Sequence, residues 1–178
     1  MNTHMGDRSD NGESGTLAAL VGKHVVVVGG TSGIGLAVAR DVAHAGAEVT
    51  LVGRDEARLR HASGAIGGAR QRIGDLREPA SFPALFEALP RVDHLVITAG
   101  TASLKTLRDS TPDDLRQMLT ERLVGPLSMV RAALGNFSAT GSIVLTSGLL
   151  ADRPIRTGAM LAGAVAAVEA VVRALALE

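Results

Sequence analysis

Four glycines within seven residues, Gly29, Gly30, Gly33 and Gly35, have Thr31, Ser32 and Ile34 between them and spell G-G-T-S-G-I-G. The chemistry that suits this run is anion binding. Glycine supplies positive φ where a chain turns sharply and lets a ligand or a second backbone come close. A helix that starts there points unpaired N–H groups and the positive end of its dipole outward, so a phosphate-sized anion is the natural occupant. A purely structural tight turn is the alternative. No Lys-Ser or Lys-Thr pair follows the last glycine, so the run is not a P-loop. Farther along, Arg54 follows Gly53, and a guanidinium suits a phosphate dianion through paired hydrogen bonds. Arg54 could instead be a solvated loop cation, with Asp55 either pairing with it or capping the next helix. The chain has no cysteine, which rules out thiolate catalysis and Cys-based metal sites.

Such residues act only if strands and helices hold them. Val25 to Val28 are four β-branched residues without alternation, which predicts a strand at about His24 to Val28 buried on both faces of a parallel sheet. Ile34, Val38 and Val42 then recur four apart, giving a helix to about Ala45 with Gly46 at its C′ position. Glu48 to Val52 reads as the second strand, completing a βαβ unit with a right-handed crossover. An acid at the end of that strand would bond a free ribose 2′-hydroxyl. The position is Gly53 and Arg54 follows it, which favours NADP over NAD, and Thr31 or Ser32 can add a hydroxyl to the same phosphate.

The remaining pattern gives a short helix at 55–62, a third strand near Ala69 to Ile73 and a helix over Pro79 to Leu89. A fourth strand at Val92 to Ile97 is closed by Thr98-Ala99-Gly100, residues small enough for a ribose to approach the backbone. Thr111-Pro112-Asp113-Asp114 starts a long helix reaching Phe137. Pro126 cannot donate to the carbonyl of Arg122, so a bend or a ligand contact is expected there. Gly141 to Thr146 is the fifth strand and Gly158 to Glu178 the last helix. The expected architecture is a Rossmann-like, doubly wound α/β fold, three layers around a parallel sheet of order 3-2-1-4-5.

Composition narrows the function classes. Apolar residues make up 46% of the 178 and aromatics 2%, so Val, Leu, Ile and Ala must fill the core. Lys plus Arg equals Asp plus Glu at 18 each, leaving no basic surplus for a nucleic-acid backbone. Residues 1–16 read as a disordered tail and 17–178 as a single NAD(P)-binding domain. No signal peptide or bilayer-length apolar run is visible, and the expectation is a cytoplasmic protein without a membrane partner.

Read as G-G-x-x-G-x-G, the turn resembles the T-G-x-x-x-G-x-G turn of the short-chain dehydrogenase/reductase family, with Gly29 in place of the usual Thr. The resemblance covers about Leu20 to Glu178 and implies hydride transfer between NADP(H) and a carbonyl or alcohol. It implies that Asp75 and Leu76, after the third strand, meet the adenine ring, although Asp75 as a turn cap stays open. Thr98-Ala99-Gly100 stands where the family has Asn-Ala-Gly, and Arg122 where it has the Asn of the long helix. Ser147, just past the fifth strand, matches the catalytic serine. The family's Tyr and Lys fall on Leu161 and Val165, or on Met160 and Ala164 with a shift of one. The chain has no tyrosine, and its only lysines are Lys23 and Lys105. Asp152, Arg153 and Arg156, in the preceding loop, are either a replacement acid or anion clamp or solvated charges.

The family generally adds further strands and a substrate loop beyond this last helix, so the edge of the fifth strand is expected to need covering. Helices 111–137 and 158–178 form a dimer interface in the family, which implies a homodimer or homotetramer, unless one face simply covers the sheet. Two functions follow: an NADP-dependent oxidoreductase with Ser147 orienting the substrate, or a catalytically silent dinucleotide sensor or structural subunit.

Overall fold

The computed structural model describes residues 19–178; the expected tail at 1–16 lies outside the described residues. Five strands form one parallel sheet in the order β3-β2-β1-β4-β5: β1 His24–Val28, β2 Glu48–Gly53, β3 Arg70–Ile73, β4 Val92–Ile97 and β5 Phe137–Leu145. β1 sits in the middle with Val26 opposite Thr50 of β2 and Leu95 of β4. All five of its residues are buried, as the unbroken valine run requires.

Alternate valines of β1 serve opposite faces. Val26 and Val28 join a core with Phe82, Phe86, Met129 and Val130, which come from helices α3 (Phe82–Glu87) and α5 (Gly125–Ala133). Val25 and Val27 join Ala39, Leu51 and Leu59 under helices α1 (Gly33–His44) and α2 (Glu56–Gly64). The Gly46 expectation holds: φ is +84°, and the Gly46 and Ala47 amides return to the carbonyls of Ala43 and Val42, both at 3.0 Å.

Three expected elements are corrected. Pro79 to Leu89 is not one helix but a 3-10 turn at Pro79–Ser81 followed by α3, because Pro79 and Pro83 each begin a helical turn rather than continue one. The long helix from Thr111 to Phe137 is divided into α4 (Pro112–Leu119), a π-helical turn at Thr120–Val124, α5 and a 3-10 turn at Leu134–Asn136. The wider turn lies where Pro126 leaves the Arg122 carbonyl without a donor, and a Cβ on Gly125 would stand 2.3 Å from the Leu76 carbonyl oxygen. Phe137 opens β5 instead of closing a helix, so the fifth strand begins before Gly141. The last helix, α6, spans Ala159–Leu175 and packs on α4 through Leu161, Ala164, Val165 and Met118. No helix among the described residues is long and apolar enough to cross a membrane.

Candidate functional site

The carboxyl ends of β1, β2, β3 and β4 open into a cleft of about 770 Å³, at the place where strand order reverses. Its floor is the corner between β1 and α1. Gly29 has φ +86° and donates its amide to Val52 O at 2.9 Å, so that N–H belongs to the sheet. A Cβ on Gly29 would stand 2.8 Å from Ala99 N, and one on Gly35 would stand 2.4 Å from Gly29 O. Only glycine lets β1, α1 and the end of β4 meet this closely. Gly30 is buried away from the cleft, with Leu51 Cδ2 2.6 Å from where its Cβ would lie, so its role is packing. Thr31, Ser32, Gly33, Ile34 and Gly35 line the cleft.

Ser32 is the N-cap of α1, yet its side chain makes no capping bond and the first turn carries no acid. The first backbone bond at this end runs from Leu36 N to Ser32 O at 3.2 Å. The amides ahead of Leu36 are thus left without a side-chain cap, and Gly33, at φ +53°, has no atom within 4 Å of where its Cβ would be. A roomy cradle with uncapped amides fits the diphosphate of a dinucleotide.

On the β2 and β3 side, Asp55 caps α2 by accepting from Arg58 N at 2.9 Å, which settles its role and leaves Arg54 outside any ion pair among the described residues. Arg54 and Arg58 are both exposed and both line the cleft. Asp75 and Leu76 line it too, but the Asp75 carboxylate is gripped by Arg77, whose Nε lies 3.0 Å and Nη2 2.5 Å from Oδ2. This fork holds Asp75 below its ordinary pKa despite partial burial. The Arg77 amide also donates to Asp75 Oδ1 at 3.0 Å, so the turn-cap reading of Asp75 is realised alongside its place in the cleft.

On the β4 side, Thr98, Ala99, Gly100 and Thr101 line the cleft. The Thr98 hydroxyl donates to Val28 O at 3.1 Å, tying β4 to β1 where the family's amide would be. Glu121, in the π-helical turn, is 5% exposed and lines the same wall. Burial pushes its pKa up, but hydrogen bonds from Thr101 and Gln117 outweigh that and keep it ionised below its usual range. Arg122 donates Nε to Thr101 O at 2.9 Å.

Ser147 is not in the cleft lining. Its hydroxyl lies 2.5 Å from Glu169 Oε1 and 3.2 Å from Val165 O, both on α6. Leu161 and Val165, expected from the sequence at the places of the family's Tyr and Lys, are 6% and 2% exposed and pack with Ala164 and Met118. The shifted pair, Met160 and Ala164, belongs to the same cluster, so neither of these two alignments brings a polar group there. Asp152, Arg153 and Arg156 are exposed and lie outside the cleft lining.

Sequence reasoning missed Arg58, Arg77, Glu121 and Glu169. Arg58 had a signal, three residues after a cap; Glu169 had one, a helical turn beyond Val165 on the same face. No group of three metal-ligating side chains occurs among the described residues.

Residues 23–178 match the short chain dehydrogenase family. The chain is 30% identical over 173 residues to the short-chain dehydrogenase/reductase ATR9 of Stachybotrys chlorohalonatus, covering 88% of this chain and 68% of that one. It is 36% identical over 113 residues to an NADP-dependent (R)-specific alcohol dehydrogenase of Lentilactobacillus kefiri, covering 60% of this chain and 45% of the relative. A solved short chain dehydrogenase/reductase family protein superimposes with a TM-score of 0.83 at 33% identity, over 89% of this chain and 68% of the other.

Proposed function

The chain belongs to the short chain dehydrogenase family, and from that premise we propose that it binds NADP(H) as an oxidoreductase acting on a carbonyl or alcohol substrate. Proteins of this family bind a nicotinamide dinucleotide, and the uncapped corner from Thr31 to Gly35 is the observation that carries the reading here. Arg54, exposed beside it and outside any ion pair among the described residues, supports a 2′-phosphate and hence NADP, the cofactor that the Lentilactobacillus relative is named for. Bound there, the nicotinamide would give or take the hydride. This chain would contribute diphosphate binding by Thr31 to Gly35, ribose seating at Ala99 and Gly100, and adenine contact at Leu76 beside the Asp75 turn. Ser147 would orient the substrate oxygen only after turning away from Glu169.

A second reading is favoured by a specific observation: Leu161 and Val165 are packed core residues where an acid–base pair would stand. On that reading the protein is a silent dinucleotide sensor or a structural subunit. General acid–base help is typically worth 10² to 10⁴-fold, so turnover would fall while binding survived. We also propose a homodimer or homotetramer through residues 111–133 and 159–175, because Gly163, Ala166 and Ala170 leave an exposed face of small residues on α6.

The deciding experiment is NADPH consumption on a panel of aldehydes and ketones with wild type and Ser147→Ala. Turnover lost in the variant supports the enzyme. Saturable NADPH binding with no turnover on any substrate supports the silent reading, and no binding at all sinks both.

A further inference from the structure

The half of the cleft at β4 contains a charge that the reading above does not use. A dinucleotide with its diphosphate at the β1–α1 corner and its adenosine half over Arg54 and Leu76 must lay its other half toward β4. There Arg122 stands directly behind the cleft wall. Its Nε donates to Thr101 O at 2.9 Å, and its Cδ and Nε are each 3.0 Å from where a Cβ on Gly100 would lie. Gly100 and Thr101 both line the cleft, and Gly100, at φ +147°, puts no side chain between the cleft and Arg122.

The nearest opposite charge to this cation is the neighbouring Glu121 carboxylate, which does not pair with it. Among the described residues Arg122 enters no ion pair. The neighbouring carboxylate, Glu121, is engaged by Thr101 and Gln117. Burial lowers the pKa of Arg122 more than Glu121 raises it, yet a guanidinium remains protonated at any ordinary pH.

We propose that Arg122 is a specificity-determining residue for cofactor redox state: its fixed positive charge disfavours the cationic oxidised nicotinamide ring relative to the neutral reduced ring. The inference rests on dinucleotide binding in this cleft. The oxidised ring carries one positive charge and the reduced ring none, so only the oxidised form feels the repulsion. At an effective dielectric near 20, two unit charges about 7–10 Å apart shift an equilibrium on the order of tenfold or more. The same cation attracts negative charge growing on a carbonyl oxygen, so it assists reduction rather than oxidation.

The test is equilibrium binding of NADPH, NADP⁺ and 2′-phospho-ADP-ribose, which lacks the nicotinamide, to wild type, Arg122→Gln, Arg122→Met and Arg122→Lys. The neutral variants should tighten NADP⁺ relative to NADPH by about tenfold. Arg122→Lys should keep the wild-type ratio, and affinity for 2′-phospho-ADP-ribose should stay the same throughout, which also reports that each variant is folded. An unchanged NADP⁺ to NADPH ratio in the neutral variants, with 2′-phospho-ADP-ribose still bound, overturns the role of Arg122. If wild type fails to bind 2′-phospho-ADP-ribose, dinucleotide binding itself is refuted and the inference falls with it.

Discussion

The two ends of the sheet differ in what their side chains are free to do. Around the β1–α1 corner, side chains leave the helix amides uncapped, glycines hold the approach open, and Arg54 and Arg58 enter no salt bridge among the described residues. Beyond β5, the same fold has closed up: Leu161 and Val165 are packed against Met118, and Ser147 is bonded to Glu169 and the Val165 carbonyl. One region has its polar groups turned toward an open cleft and the other has them turned toward the protein. On the proposed function, binding and chemistry are separable in this fold, because the corner is made of backbone and an acid–base pair would be two side chains on a helix.

This contrast makes opposite demands on substitutions. The largest effect on folding should come from the far end: Leu161→Ala removes a core side chain and should destabilise by roughly 2–5 kcal/mol, read by denaturant unfolding. Nucleotide affinity of the folded fraction should not change. Gly35→Ala should do the reverse in kind, costing about 1–3 kcal/mol through overpacking. The new Cβ would meet the Gly29 carbonyl oxygen, and that oxygen is backbone and cannot swing aside. Titration should show NADPH binding lost in whatever folds. Arg54→Ala should weaken NADPH by about tenfold, the loss of a charge-assisted hydrogen bond, and leave NADH unchanged, which sharpens the contrast to one phosphate.

The smallest effect belongs to neither region. Thr111 and Asp114 cap α4 reciprocally, and Lys105 Nζ lies 2.7 Å from Asp114 Oδ1. Thr111→Ala should cost about 1 kcal/mol. The Lys105 bond, followed by those from Thr111, pushes the Asp114 carboxyl down to about 2 from 3.8. A depressed folded-state pKa means that this contribution is complete above 3.8 and fades as pH falls toward 2. The stability gap between wild type and Asp114→Asn should be constant above pH 3.8 and close as pH falls through that window.

The contrast was legible in the sequence to unequal degrees. β1 was readable from its unbroken V-V-V-V run, and β2 and β4 from short stretches rich in β-branched and apolar residues, E-V-T-L-V and V-D-H-L-V-I. The corner was readable because glycine is needed where backbones touch. β5 was placed too late because F-S-A-T at its start is half polar and follows the apolar Val130 and Leu134 at helical spacing; Gly135 and Asn136, which end the helix, were the overlooked signal. The division of the long helix was readable only in part: Pro126 located the fault near Arg122, but a π turn could not be told from a bend. Arg77 on Asp75 and Glu121 behind Thr101 depend on how loops fold back, which no periodicity encodes. The absence of tyrosine was plain in the sequence, and the structure adds that Leu161 and Val165, the positions matched to the family's pair, are packed core residues.

The most direct measurement is a crystal structure grown or soaked with millimolar NADPH. The expected result is diphosphate oxygens within hydrogen-bond distance of the amides between Thr31 and Gly35, with the 2′-phosphate at Arg54. A nucleotide seated elsewhere, or a corner that stays free of it at that concentration, would contradict the assignment of this turn as an anion site.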